Sequence, residues 1–66
     1  MRLTINGEPR EMSATADLAA LIASLELDPR KVAVERNLEI VPRSLYAATP
    51  LADGDRIEIV HFIGGG

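Results

Sequence analysis

Residues Arg2 to Asn6 alternate, Leu3 and Ile5 apolar against Arg2, Thr4 and Asn6 polar, which is the two-residue period of a strand with one wet face. Asn6-Gly7 comes next. Both residues tolerate positive φ, so a type I′ hairpin turn is predicted. The returning strand falls over Glu8 to Met12, with Pro9 marking it as an edge because proline cannot donate to a sheet ladder. The period then changes. Leu18, Leu21, Ile22 and Leu25 sit at i, i+3, i+4 and i+7, one helical stripe. Thr15 is the predicted N-cap, with Asp17 in the first turn at the positive helix end. Ala16, Ala19, Ala20 and Ala23 favour helix and permit close packing on a sheet. Pro29 disfavours helical geometry at Asp28, so the helix is expected to stop near Glu26.

Beyond Pro29 the strand period returns, with Val32 and Val34 against Lys31, Ala33 and Glu35. A break at Arg36-Asn37 precedes a short apolar segment, Leu38 to Val41, closed by Pro42. Arg43 to Ala52 reads as irregular, with Leu45, Tyr46 and Leu51 as anchors over the open end of the core. Asp53-Gly54-Asp55 is a turn signal. Ile57 and Ile59 then alternate with Arg56 and Glu58 in the last strand. The order β-β-α-β-β-β predicts an α+β fold, a mixed sheet of four to five strands with one main helix packed on one face.

Composition narrows the function classes. In 66 residues, 47% apolar and 26% charged, there is room for one small hydrophobic core. Seven Lys+Arg face ten Asp+Glu, a net charge of -3 that gives nucleic-acid phosphates little to attract them. The absence of cysteine excludes a disulfide scaffold, a thiolate zinc site and a cysteine nucleophile. A single histidine, His61, argues against a multi-histidine metal site. No apolar run approaches the roughly 20 residues that span a bilayer, and Met1-Arg2-Leu3-Thr4 has no signal-peptide character. A cytoplasmic, non-membrane domain, monomeric when free, is expected.

The last strand and the glycines after it hold the candidate chemistry. The outward set Arg56, Glu58, Val60, Phe62 turns apolar just before the chain ends. Outward Val60 and Phe62 suggest a docking patch, since large exposed apolar groups usually have a reason; alternatively, Phe62 folds back over a core edge. Residues 1–63 then form a single domain, and Gly64-Gly65-Gly66 a flexible tail. Glycines contribute no packing and maximise chain entropy, but without Cβ atoms they can enter a narrow channel in another protein. Three extended residues carry the terminal carboxylate roughly 10 Å beyond Ile63. A carboxylate is a poor electrophile until ATP converts it to an acyl adenylate, which sulfur or nitrogen can attack. On this reading Gly66 supplies the only reactive group the protein needs; the plain alternative is a frayed end.

Taken together, the Asn6-Gly7 hairpin, the Leu-rich helix, Val32-Ala33-Val34-Glu35-Arg36-Asn37, Ile40-Val41-Pro42-Arg43-Ser44, Leu51-Ala52-Asp53-Gly54-Asp55-Arg56-Ile57-Glu58-Ile59-Val60 and the terminal glycines resemble the ThiS family of sulfur carriers in thiamine biosynthesis over essentially the whole chain. The resemblance implies a ubiquitin-like β-grasp fold and a protein co-substrate rather than an enzyme, with no catalytic residue, bound metal or bound cofactor of its own. It implies adenylation of Gly66 by a ThiF-like enzyme that uses ATP, and sulfur delivery by a cysteine desulfurase or similar donor. The thiocarboxylate so formed would give its sulfur to the thiazole synthase ThiG, which builds the ring from a deoxyxylulose phosphate and a glycine-derived imine. Gly65 is then the extended neighbour of Gly66, and Gly64 an extra glycine beside the minimal pair. Asn37-Leu38 stands where the family has Asn-Gly, so a different turn type is expected there.

Two related classes share the tail chemistry: the molybdopterin-synthase small subunit and a ubiquitin-like modifier that forms isopeptide bonds. The short chain without an expanded loop region favours the ThiS-like carrier. His61 reads as a bystander, since no nucleophile or acid accompanies it. Asp53 and Asp55 lack the further ligands of a calcium loop. Arg30, Lys31 and Arg43 read as solvated charges, with partner contact the alternative for Arg43 in the Pro-Arg-Ser segment. The negative surface would steer the chain toward a basic groove on its activating enzyme.

Overall fold

The computed structural model describes residues 1–62. Five strands form one mixed sheet: β1 (Arg2–Ile5), β2 (Glu8–Glu11), β3 (Val32–Arg36), β4 (Glu39–Val41) and β5 (Arg56–His61). They lie in the order β2-β1-β5-β3-β4. The pair β1·β5 is parallel, while β1·β2, β3·β4 and β3·β5 are antiparallel. β5, last in sequence, is therefore central in space. One helix, α1 (Leu18–Ser24), covers one face. This is the α+β architecture predicted from the element order, with the sheet at five strands.

The buried set follows the two periods. Leu3, Ile5, Val32, Val34 and Ile57 point inward from the sheet and meet Leu18, Leu21 and Ile22 of α1, with Tyr46 and Leu51 closing the core. Leu25 and Ile59 pack at its margin. Full burial of an aliphatic side chain of this size stabilises by roughly 1.5–3 kcal/mol, and Leu3, Leu18, Leu21 and Ile57 are completely enclosed.

Both hairpins turn on an asparagine in the left-handed region. Asn6 has φ 49° and Gly7 φ 85°, the conformation expected of a type I′ turn. Asn37 at 52° and Leu38 at 72° repeat it, so the expected change of turn type at Asn37-Leu38 does not occur. The reason lies in how the asparagines bind β5. Asn6 accepts from Ile59 N–H at 2.7 Å and donates to Ile59 O at 3.2 Å through its amide. Asn37 accepts from Arg56 N–H through its side chain at 2.9 Å, and its own N–H donates to Arg56 O at 2.8 Å. Each asparagine thus continues the sheet ladder, and Leu38 is carried into positive φ by the hold on Asn37. The next strand starts at Glu39, one residue later than the apolar segment suggested.

The N-cap of α1 is Asp17, not Thr15. Ala16 is drawn into extended pairing, its carbonyl accepting from Leu51 N–H at 3.2 Å, while Leu18 N–H donates to Thr49 O at 3.0 Å. Helical geometry cannot begin before Leu18, and the Asp17 carboxylate accepts from Ala20 N–H at 2.8 Å. Thr15 instead shares a hydroxyl contact with Ser13. At the other end, Leu27 N–H donates to Ile22 O and Glu26 N–H to Ala23 O, the paired bonds of a Schellman stop. Glu26 occupies the left-handed position, φ 59°, where glycine is usual. This turn ends the helix at Ser24, ahead of any influence from Pro29, which opens a 3₁₀ turn over Pro29–Lys31.

The segment after Pro42 is also more regular than its sequence suggested, forming a 3₁₀ helix over Arg43–Ala48. Three residues per turn bring one residue in three to the same face. Tyr46 takes the inward place, its hydroxyl donating to Val32 O at 3.3 Å. Leu45 faces outward at 48% exposure and is not an anchor.

Candidate functional site

The end of β5 is where the sheet meets the glycine segment. Val32 pairs with His61 and Ala33 with Val60, and Phe62 N–H donates to Lys31 O at 2.8 Å. That bond, on a central strand held by both neighbours, anchors the root of the terminal segment. Gly64, Gly65 and Gly66, the tail to which the sequence assigns the chemistry, lie outside the described residues, as does Ile63.

Val60 and Phe62 are both on the outer sheet face, 61% and 55% exposed. Phe62 therefore does not fold back into the core. Arg43 is exposed on its 3₁₀ helix and, with Phe62, Ile40, Val41, Ala33 and Tyr46, lines an open depression of about 320 Å³ at the β4 edge. The structure thus brings Arg43 and Phe62 to one concavity; Val60 lies two residues before Phe62 on the same face. His61 is exposed.

Two apolar side chains on this side carried no functional assignment from sequence. Leu38 is 80% and Ile40 78% exposed. Ile40 alternates with Glu39 and Val41, and the pairing of Val41 with inward Val34 sets it outward. Its cross-strand neighbour is Glu35, which in turn faces Glu58 on β5. Neither glutamate, nor exposed Glu39, has an ion-pair partner among the described residues.

Asp55 is a structural group that the turn signal did not reveal. It is 7% exposed and accepts from Arg36 Nε at 2.8 Å, Asn37 Nδ2 at 3.0 Å and Ala52 N–H at 2.9 Å. Burial pushes its carboxyl up, but the bonds from Asn37, Ala52 and Arg36 outweigh burial and hold it below the ordinary range. Asp53 accepts from Arg2 N–H at 2.7 Å, so both carboxylates serve the turn. Asp28 is lowered to about 2 by its hydrogen bonds from Arg30. Tyr46 is raised by burial. Among the described residues no three His, Asp or Glu side chains converge as metal ligands, and no helix is long and apolar enough to cross a membrane. At this end the described residues present exposed Val60 and Phe62 beside a strand end held by the Phe62 bond to Lys31.

The sequence profile of the ThiS family matches residues 3–66. A thiazole synthase of Paramagnetospirillum magneticum is 61% identical over 66 residues, a match that takes in 100% of this chain and 20% of that protein. The chain therefore spans about a fifth of the length of that relative. The sulfur carrier protein ThiS of Bacillus subtilis is 43% identical over 65 residues, covering 97% of this chain and 98% of its own. The crystal structure of a thiamine biosynthesis protein (ThiS) from Geobacter metallireducens matches with a TM-score of 0.86 at 35% identity, covering 100% of both chains.

Proposed function

The chain belongs to the ThiS family, the non-catalytic sulfur carriers of thiamine biosynthesis, and from that premise we propose that Gly66 is the residue that carries the sulfur. On a ThiF-like adenylating enzyme, a Gly66 carboxylate oxygen attacks the α-phosphorus of ATP and pyrophosphate leaves. The mixed anhydride has AMP as a leaving group, which the free carboxylate lacks. The terminal sulfur of a persulfide on a cysteine desulfurase or similar donor adds at the carbonyl carbon and expels AMP; a thiol then cleaves the acyl disulfide so formed, leaving a thiocarboxylate on Gly66 and a disulfide on the thiol side. Thiazole synthase then takes that sulfur into the thiazole ring. ATP is bound by the activating enzyme, and the carrier holds no cofactor of its own.

Residues 1–63 act in this scheme as the handle and Gly64–Gly66 as the reaching tail. Four residues beyond Phe62 extend at most roughly 14 Å, enough to put Gly66 inside a partner while the sheet stays outside. Val60, Phe62 and Arg43 are the docking contacts around the root of that tail. The observation that carries the reading is the end-to-end match to the sulfur carrier of Bacillus subtilis. Support for a thiazole synthase partner comes from the Paramagnetospirillum relative, where a stretch matching this whole chain is one fifth of a protein so named.

Incubation with the adenylating enzyme, ATP and a sulfur donor should exchange one oxygen for sulfur at Gly66, read by intact mass spectrometry and peptide mapping. Deleting Gly65 and Gly66 should abolish the exchange and leave the thermal melt within about 4 °C, since surface changes usually stay within ~0.5 kcal/mol. An unchanged mass while pyrophosphate is released, or sulfur found elsewhere in the chain, refutes the assignment.

A further inference from the structure

A leucine at φ 72° is strained, because its Cβ crowds the carbonyl that glycine or asparagine accommodates. Leu38 bears this strain at the tip of the β3–β4 hairpin, and its side chain is 80% exposed, so burial does not compensate. The conformation is enforced from below. Asn37 is held to Arg56 through both its backbone and its side chain, and its amide donates to Asp55. Strain that the surrounding structure over-determines and that contributes nothing to the core points to function. Ile40, two residues on and 78% exposed, continues the apolar surface into the depression that also includes Phe62.

We propose that Leu38 and Ile40 form a rigid apolar contact for thiazole synthase, seating in an apolar pocket with arginine or lysine at its rim. Charge argues for the basic rim. Glu35 is opposite Ile40, and Glu58 faces Glu35 across β3·β5, all on the outer face, whereas Glu39 lies on the other face opposite Arg36. Like charges directly opposed destabilise a sheet, and neither Glu35 nor Glu58 has a cation within ion-pair distance among the described residues. A cationic rim relieves that repulsion in the complex. Continuity argues for the same partner that receives the tail, since Ile40 and Phe62 border one depression. The choice of thiazole synthase over the adenylating enzyme rests on the proposed carrier function and on the relative in which this chain's counterpart belongs to a thiazole synthase.

The test uses replacements that relieve the strain while removing the contact. Leu38→Asn should raise the melting temperature of the whole chain by roughly 4–8 °C and Leu38→Gly, which adds chain entropy, by roughly 2–8 °C, and each should weaken binding to purified thiazole synthase about tenfold. Affinity for the adenylating enzyme should stay within twofold. Glu35→Gln should flatten the salt dependence of thiazole synthase binding. Unchanged thiazole synthase affinity in both Leu38 variants overturns the proposal, as does a loss confined to the adenylating enzyme. A wild-type chain that binds the adenylating enzyme but never thiazole synthase removes the underlying carrier reading as well; tight binding indifferent to residue 38 removes only this inference.

Discussion

Replacing Asp55 tests whether one buried carboxylate ties the two halves of the sheet's working end together. Asp55→Ala leaves three donors without their acceptor: the Arg36 guanidinium, the Asn37 amide and the Ala52 N–H. A neutral hydrogen bond contributes about 1 kcal/mol net and a charged one about 1.5–3. Arg36 is one-third exposed, so water replaces part of its loss, and the expected cost is ~2–4 kcal/mol. A domain this small holds about 3–5 kcal/mol in total, which places the alanine variant near the edge of unfolding. Asp55→Asn is the more informative change because it keeps the shape and one acceptor oxygen; it should cost about 1–3 kcal/mol. Urea melts followed by circular dichroism at pH 7 should show a lower midpoint with an unchanged slope. The pH dependence fixes the cause. The folded carboxyl titrates below its unfolded value of about 3.9, so its contribution is fully present above that value. It is lost as pH falls through the depressed folded value. The gap between wild type and Asp55→Asn should therefore close in acid. Asp28, also depressed, to about 2, is common to both proteins and cancels in the difference. Midpoints that coincide at pH 7, or a gap that persists in acid, refute the reasoning.

Glu26→Gly should stabilise the fold by about 0.5–1 kcal/mol, because relief of the left-handed penalty (~1–2 kcal/mol) exceeds the added glycine entropy (~0.5–1 kcal/mol); a lower melting temperature contradicts the Schellman assignment. Phe62→Lys and Val60→Lys should alter stability by no more than about 0.5 kcal/mol, yet lower the affinity for the adenylating enzyme at least tenfold, measured by titrating pyrophosphate release. Unfolding of either variant would return that residue to the core.

Much of the architecture was legible because it is written in local periods. Alternation at Leu3 and Ile5, at Val32 and Val34, and at Ile57 and Ile59 could satisfy only a one-sided sheet, and the stripe Leu18-Leu21-Ile22 only a helix on it. The terminal glycines, with no packing value, directed attention to the chain end without any help from the fold. Three-dimensional pairing decided the rest. Thr15 lost the helix cap because Ala16 was claimed by Leu51, a distant partner that no local pattern announces. Leu45 faced out and Tyr46 in because a 3₁₀ period replaced the irregular segment. Asp55 and the two hairpin asparagines read as turn formers, and only the assembled sheet gives them their bonds to Arg36 and β5. Sequence determined which residues could be buried and singled out the glycines at which the chemistry is proposed, since hydrophobic period and glycine freedom are local. Tertiary structure alone decided that β5 is central and that Leu38 is strained and exposed, since long-range hydrogen bonds impose both.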